Sequence, residues 1–469
     1  MEQALWRWDA VDLAAAIRTR RISSREAVQA ALARLDAVNP HLNAVTAPLA
    51  DQAREAADRA DAAVRAGRAL GPLHGVPVTI KENVDQEHCA TANGVPAFKD
   101  LVATADSPPV TAWRRAGAVV IGRTNTPAFS VRWHTDNELR GRTLNPWAPE
   151  ITPGGSSGGA AAALAAGVGA LAHGNDLGGS IRYPAYCCGV AGLRPTLGRV
   201  AGYNQTTAEE RPPGIQLMAV NGPMARRVRD VRLGLAAMAA RDPRDPWWTP
   251  APLEGPPVER PIRVALVVDP ARQGVHPDVA RAVRAAGEAL ESAGYAVEEV
   301  DPPAVDAAAA TWAAIVVNEL RHITLPYIRA HGGADVNRCI DLTLLQVADV
   351  GLAAYMRALA ERSRHARDWM LFLERHPLVV GPVSAEPPFA VGFDVKSAET
   401  TARVLLAQRL HVAVNLLGLP AVAVPTGLAE HVPVGVQVIA SRYREDLCLD
   451  AAEVIEAQRG LLTPIDPVR

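Results

Sequence analysis

The chain has 469 residues, 49% of them hydrophobic and 21% charged, with a formal net charge of −2. That balance is ordinary for a globular protein and gives no electrostatic ground for expecting nucleic acid or an anionic membrane as partner. The uncharged runs are Gly/Ala-rich (153–175) or broken by Pro420 and Pro425 (412–429), so no membrane span is expected. The N-terminus lacks a basic region followed by an apolar one, and the five cysteines include the adjacent pair Cys187 and Cys188. These features imply neither a signal peptide nor a disulfide framework, and a cytoplasmic location is the expectation.

Residues 9–67 read as helical, with a capping-box pattern at Ser23–Glu26 and an alanine-rich surface helix over 51–65. Val76–Lys81 is a short β-branched strand that ends on a lysine. A helix over 111–117 and a strand over 118–122 follow, then a polar, aromatic loop from Arg123 to Trp147 carrying Trp133 and His134. Asn221–Met224 leads into a helix around 228–240, and 241–257 is a surface connection. A βαβ-like unit spans 262–300, residues 304–375 are mostly helical, and 378–388 is a Pro-interrupted strand and loop. The remainder supplies further sheet and a helix over 446–459, with no internal repeat.

The stretch from Thr152 to Pro195 stands apart, with Asp176 its only carboxylate and two glycine-framed serine clusters, at 154–159 and 178–180. Glycines beside a small nucleophile let backbone N–H groups crowd a reacting atom. The run at 160–166 is a strong helix former with Gly167 as its stop, which a flexible linker does not need. A strand over 168–173 and a tight loop holding Ser180 come next. The phosphate-loop patterns are not met, because no strand precedes the glycines. For the same reason GxSxG at Ser156 or Ser157 does not make a nucleophile elbow.

Of 48 Lys plus Arg, only Lys81, Lys99 and Lys396 are lysine. Arg never serves as a base, whereas a desolvated Lys does. At the end of an apolar strand, Lys81 would have its stem in the core and its amine at the sheet rim, where burial would depress its pKa; a strand-end lysine that simply reaches solvent is the alternative. A neutral Lys81 can take a proton from one serine, which takes one from a second.

GVPVTIKENVD at 75–85, GGSSGG at 154–159 and GNDLGGSIRYPAYCCGVAGLRPT at 174–196 closely resemble the amidase signature family. The similarity extends over most of the chain, including 122–129, 145–147, 222–226, 415–425 and 433–439, and Ser156 and Ser180 have the spacing of the family's serine pair. The resemblance implies one α/β domain over 1–469 with a central mixed, mostly parallel twisted sheet flanked by helices. Within it, 1–67 would be an N-terminal helical segment, 71–200 the catalytic core, 201–390 a variable substrate-shaping part and 391–469 the part completing the sheet. It further implies hydrolysis of a carboxylic amide through an acyl-enzyme, with esters as poorer substrates. Lys81 would be the general base, Ser156 the bridging serine after a cis peptide, and Ser180 the nucleophile. The N–H groups of Leu177, Gly178, Gly179 and Ser180 would form the oxyanion hole, Asp176 and Arg182 would brace the loop, and Ser157 would hydrogen-bond Ser156. No cofactor and no metal are implied. The partner expected is a small-molecule amide, and the resemblance leaves room for a homodimer.

Three departures bear on the substrate. Asn175 replaces the more usual Thr or Ser but is still able to donate; 131–135 is bulky; and 383–393 lacks the family's Pro-Thr-x-Pro. The last two fall in segments expected to shape the acyl pocket, with Trp133 and His134 favouring an aromatic or planar amide. Two rival readings remain: the glutamine-hydrolysing subunit of a tRNA-dependent amidotransferase, and a binding protein with a dead site.

Overall fold

Ser23 starts a helix (Ser24–Leu42) by accepting from Glu26 N at 3.1 Å, while Glu26 returns a carboxylate to Ser23 N at 2.7 Å, the reciprocal box expected. The computed structural model describes residues 4–207 and 209–468. That helix stops at Asn43, whose left-handed backbone (φ 50°) turns the chain into strand β1 (Val45–Pro48) before the next helix, Ala50–Arg65. The expected helical stretch is therefore interrupted. Four residues are too few for a strand to register against two strong helical patterns.

The other strands are β2 (Pro77–Lys81), β3 (Val119–Thr124), β4 (Leu171–Asp176), β5 (Ala191–Arg194), β6 (Val220–Ala225), β7 (Arg263–Leu266), β8 (Ala296–Glu299), β9 (Leu378–Pro382), β10 (Ala421–Ala429) and β11 (Val432–Ala440). They form one sheet in the order β1-β3-β2-β4-β6-β5-β10-β11-β9-β7-β8. It is mixed and flanked by helices, but among the described residues six of its ten pairings are antiparallel, so it is not mostly parallel. Two features reverse the balance. The β10–β11 hairpin turns within two residues, which allows only antiparallel pairing, and β6 inserts antiparallel between β4 and β5. The unit at 262–300 keeps the expected parallel β7–helix–β8 form.

Helix Gly158–Ala165 is buried on every side, which its Ala/Gly surface permits. A Cβ on Gly159 would lie 2.5 Å from Asn125 N and 2.6 Å from Ala44 O, so only glycine lets this helix seat so closely. The helix ends as expected, with Gly167 at φ +84°. Gly169, also at positive φ, then delays β4 to Leu171, three residues beyond the expected start. The shift places Asn175 and Asp176 on the last residues of β4, beside the end of β2.

Candidate active site

Strands β2 and β4 run parallel with Thr79 opposite Ala172, which brings the C-terminal ends holding Lys81 and Asn175 together. Lys81 is fully buried. Its Nζ lies 2.6 Å from Ser156 Oγ and donates to Asn175 Oδ1 at 2.7 Å. Burial pushes the amine well below the ordinary lysine range, and the charge of Asp176 opposes this only in part. A neutral amine keeps one lone pair; with an N–H engaged by Asn175, that lone pair is free to face Ser156. Asn175 thus accepts here rather than donates, because its neighbour is rich in N–H groups. The Gly155–Ser156 peptide is cis, as the resemblance implied.

Asp176 organises the second serine loop. Its Oδ1 accepts from Gly179 N (2.8 Å), Asn415 Nδ2 (2.8 Å) and Arg182 Nη2 (3.1 Å), and its Oδ2 from Arg182 Nε (3.1 Å) and Ile181 N (3.2 Å). Arg194 donates to the Asp176 carbonyl at 2.7 Å. Burial alone would raise this carboxyl, but Arg182 and Arg194 overcome it and hold the group well below the usual carboxylate range. Arg182 extends the network to Gln437 (2.7 Å) and Asn415 (2.6 Å). Asp176→Ala would leave two arginines buried without their counter-charge. It is expected to lower unfolding free energy by about 3–5 kcal/mol, read from urea denaturation; a loss below about 1 kcal/mol would contradict the bracing role.

Two expectations are corrected in this loop. The Gly179 N–H is committed to Asp176, so it is not free to meet an oxyanion; those of Leu177, Gly178 and Ser180 donate to no group among the described residues. Gly179 itself takes φ +95°, and a Cβ there would fall 2.6 Å from the His411 ring. The Ser157 hydroxyl is buried without a hydrogen-bond partner among the described residues and does not support Ser156. Its backbone does the joining, with Ser157 N–H donating to Ser180 O at 3.2 Å. Ser180 is 9% exposed, and its hydroxyl has no hydrogen-bond partner among the described residues.

Ser156, Asn175, Gly178 and Ser180 open onto a cavity of about 1310 Å³. Trp133 and Trp312 line it beside the serine loop, and Phe98, Phe129 and Tyr327 form an aromatic group farther out, with ring centroids 5.5–6.0 Å apart. Trp133 is where expected, but His134 is not in the cavity wall. The loop lines the cavity from Ser130 to Trp133 and then turns inward, so the buried His134 ring meets Thr152 Oγ1 at 2.9 Å, its pKa lowered to about 4 by burial. Nor does 383–393 line the cavity: it packs behind the loop, where Ala390 bridges Ile151 and Phe389 stacks on Phe393. Trp312, on helix Val305–Glu319, escaped the sequence reading, because an indole in an apolar helical run carries no local mark of a site.

The family described as "Amidase" matches residues 26–449. The chain belongs to the amidase signature family. Like other amidase signature enzymes, it is a hydrolase of carbon–nitrogen amide bonds. It is 49% identical over 459 residues to an indoleacetamide hydrolase of Bradyrhizobium diazoefficiens, covering 98% of this chain and 88% of that one. To a glutamyl-tRNA(Gln) amidotransferase subunit from Moorella thermoacetica it is 33% identical over 474 residues, with 95% of each covered. Among solved amidase signature structures, a bacterial aryl acylamidase superposes with a TM-score of 0.82 at 25% identity, covering 98% of this chain and 96% of that one.

Proposed function

We propose that this amidase hydrolyses a primary arylacetamide, of which indole-3-acetamide is the representative, to the acid and ammonia. The observation that carries the reading is a buried Lys81, its pKa depressed, against Ser156, with Ser180 open to a cavity walled by indole and phenyl rings. Ser180 Oγ attacks the amide carbon as its proton passes to Ser156 and the Ser156 proton to Lys81. The tetrahedral oxyanion is met by the free loop amides. Collapse breaks the C–N bond, and Lys81 returns the proton through Ser156 to the leaving nitrogen. Water then releases the acid by the same relay. The 49% identity to an indoleacetamide hydrolase supports the substrate class.

A burial term of ~1.5–3 kcal/mol for an aromatic ring corresponds to about 10- to 100-fold. We therefore expect kcat/KM for indole-3-acetamide and phenylacetamide to exceed that for propionamide by that factor. The rival reading, glutamine hydrolysis within an amidotransferase, has the 33% identity in its favour. Glutamine turned over faster than either arylacetamide would select it.

A further inference from the structure

The serine loop is held by two indoles from separate parts of the fold. Trp133 Nε1–H donates to Gly178 O at 2.8 Å, and Trp312 Nε1–H donates to Leu177 O at 3.1 Å. The two rings also close on the glycine itself. A Cβ on Gly178 would stand 3.0 Å from Trp312 Cζ2 and 3.7 Å from Trp133 Cζ2. Both indoles are anchored from behind. Trp312 packs with Val305, Ala308 and Ile315 in the core, and the loop of Trp133 is fixed by the buried Arg132–Asp394 pair at 2.8 and 3.0 Å.

In a trans peptide the carbonyl and the following N–H point in opposite directions. The peptides after Leu177 and Gly178 are trans, so fixing Leu177 O on one side sets Gly178 N–H on the other. Fixing Gly178 O likewise sets Gly179 N–H, which reaches Asp176. Two successive glycines have no side-chain sterics to restrict φ and ψ. The Gly178–Gly179 peptide is held at one end by Asp176 and at the other by Trp133, whereas among the described residues the Leu177–Gly178 peptide is held by Trp312 alone.

We propose that Trp133 and Trp312 are positioning residues for amide hydrolysis: their N–H groups lock consecutive carbonyls so that the Gly178 N–H stands ready for the oxyanion. The proposal rests on the reading of Ser180 as nucleophile. It assigns to the indoles a role separate from walling the cavity, since the ring does one task and the N–H the other.

The test is steady-state kinetics of Trp133→Phe and Trp312→Phe on phenylacetamide, together with inhibition by benzyl trifluoromethyl ketone and by phenylacetate. The ketone adds Ser180 Oγ to its carbonyl and places an oxyanion in the hole; phenylacetate reports ground-state binding. Each variant is expected to lose about 10- to 100-fold in kcat, less than for direct loss of an oxyanion donor, with KM within about twofold. The ketone's inhibition constant should rise in proportion while that of phenylacetate stays put. Should Phe unsettle the fold, 3-benzothienylalanine at position 312 keeps the ring shape and removes only the N–H; it should show the same kcat loss. Wild-type kcat in these variants, or a raised KM with kcat unchanged, would overturn the proposal. A fully active Ser180→Ala protein would instead overturn the nucleophile assignment beneath it.

Discussion

Ser180→Ala is expected to lower kcat by about five to six orders of magnitude, as loss of the nucleophile does in other serine hydrolases. The substitution removes one hydroxyl that has no hydrogen-bond partner among the described residues, at a position open to the cavity. Stability should therefore change little, within about 0.5 kcal/mol, and the loss is attributable to chemistry. The backbone amides around position 180 and the Asp176 network remain, so KM should stay within a few-fold of the parent. Stopped assays for ammonia release, paired with thermal denaturation, check both halves. Hydrolysis at the parental rate would remove Ser180 from the reaction.

Lys81→Ala carries the second large effect, a fall in kcat of about three to four orders of magnitude. Ser156 would lose the amine beside it, and Asn175 Oδ1 its donor. Lys81→Arg should be no better, because a guanidinium keeps its proton. The same residue sets the pH profile. Protonated Lys81 has no lone pair to offer, so kcat/KM rises with pH through its ionisation and then levels. Burial lowers that ionisation well below the ordinary 10.5, and the midpoint of the acid limb must follow. A midpoint at 10.5 would contradict the account. The sign for stability is the reverse of a favourable pairing. The unfolded chain protonates this amine below 10.5 while the folded chain resists, so the unfolded state binds more protons there. Lys81 thus destabilises the fold at neutral pH, and the penalty fades as pH rises towards 10.5. Lys81→Met is expected to be inactive and more stable than the parent near pH 7.

The parts of this site visible in the sequence are those whose chemistry is written locally. A lysine closing a β-branched strand is legible because strand geometry alone buries its stem, and Lys81 is buried. The glycines around Ser156 and Ser180 are legible because close approach leaves no other residue choice. What depended on contacts between distant segments was not. β6 was hidden by its Gly and Pro, residues that argue against a strand except where, as here, the pairing is irregular or closely packed. The antiparallel balance of the sheet follows from where β6 inserts, which no local pattern records. Which of Trp133 and His134 faces the cavity turned on the path of one loop, and the N–H groups of Ser157 and Gly179 took partners, Ser180 O and the Asp176 carboxylate, that composition does not reveal. Trp312 lies far along the chain from the loop it holds.

The most direct test is rapid acid quenching of the enzyme during turnover of phenylacetamide, followed by peptic digestion and mass spectrometry of the serine-bearing peptides. A phenylacetyl group on Ser180, formed and lost at rates compatible with kcat, is the predicted result. An adduct on Ser156, or turnover with no adduct on either serine when quenching is faster than deacylation, would contradict it.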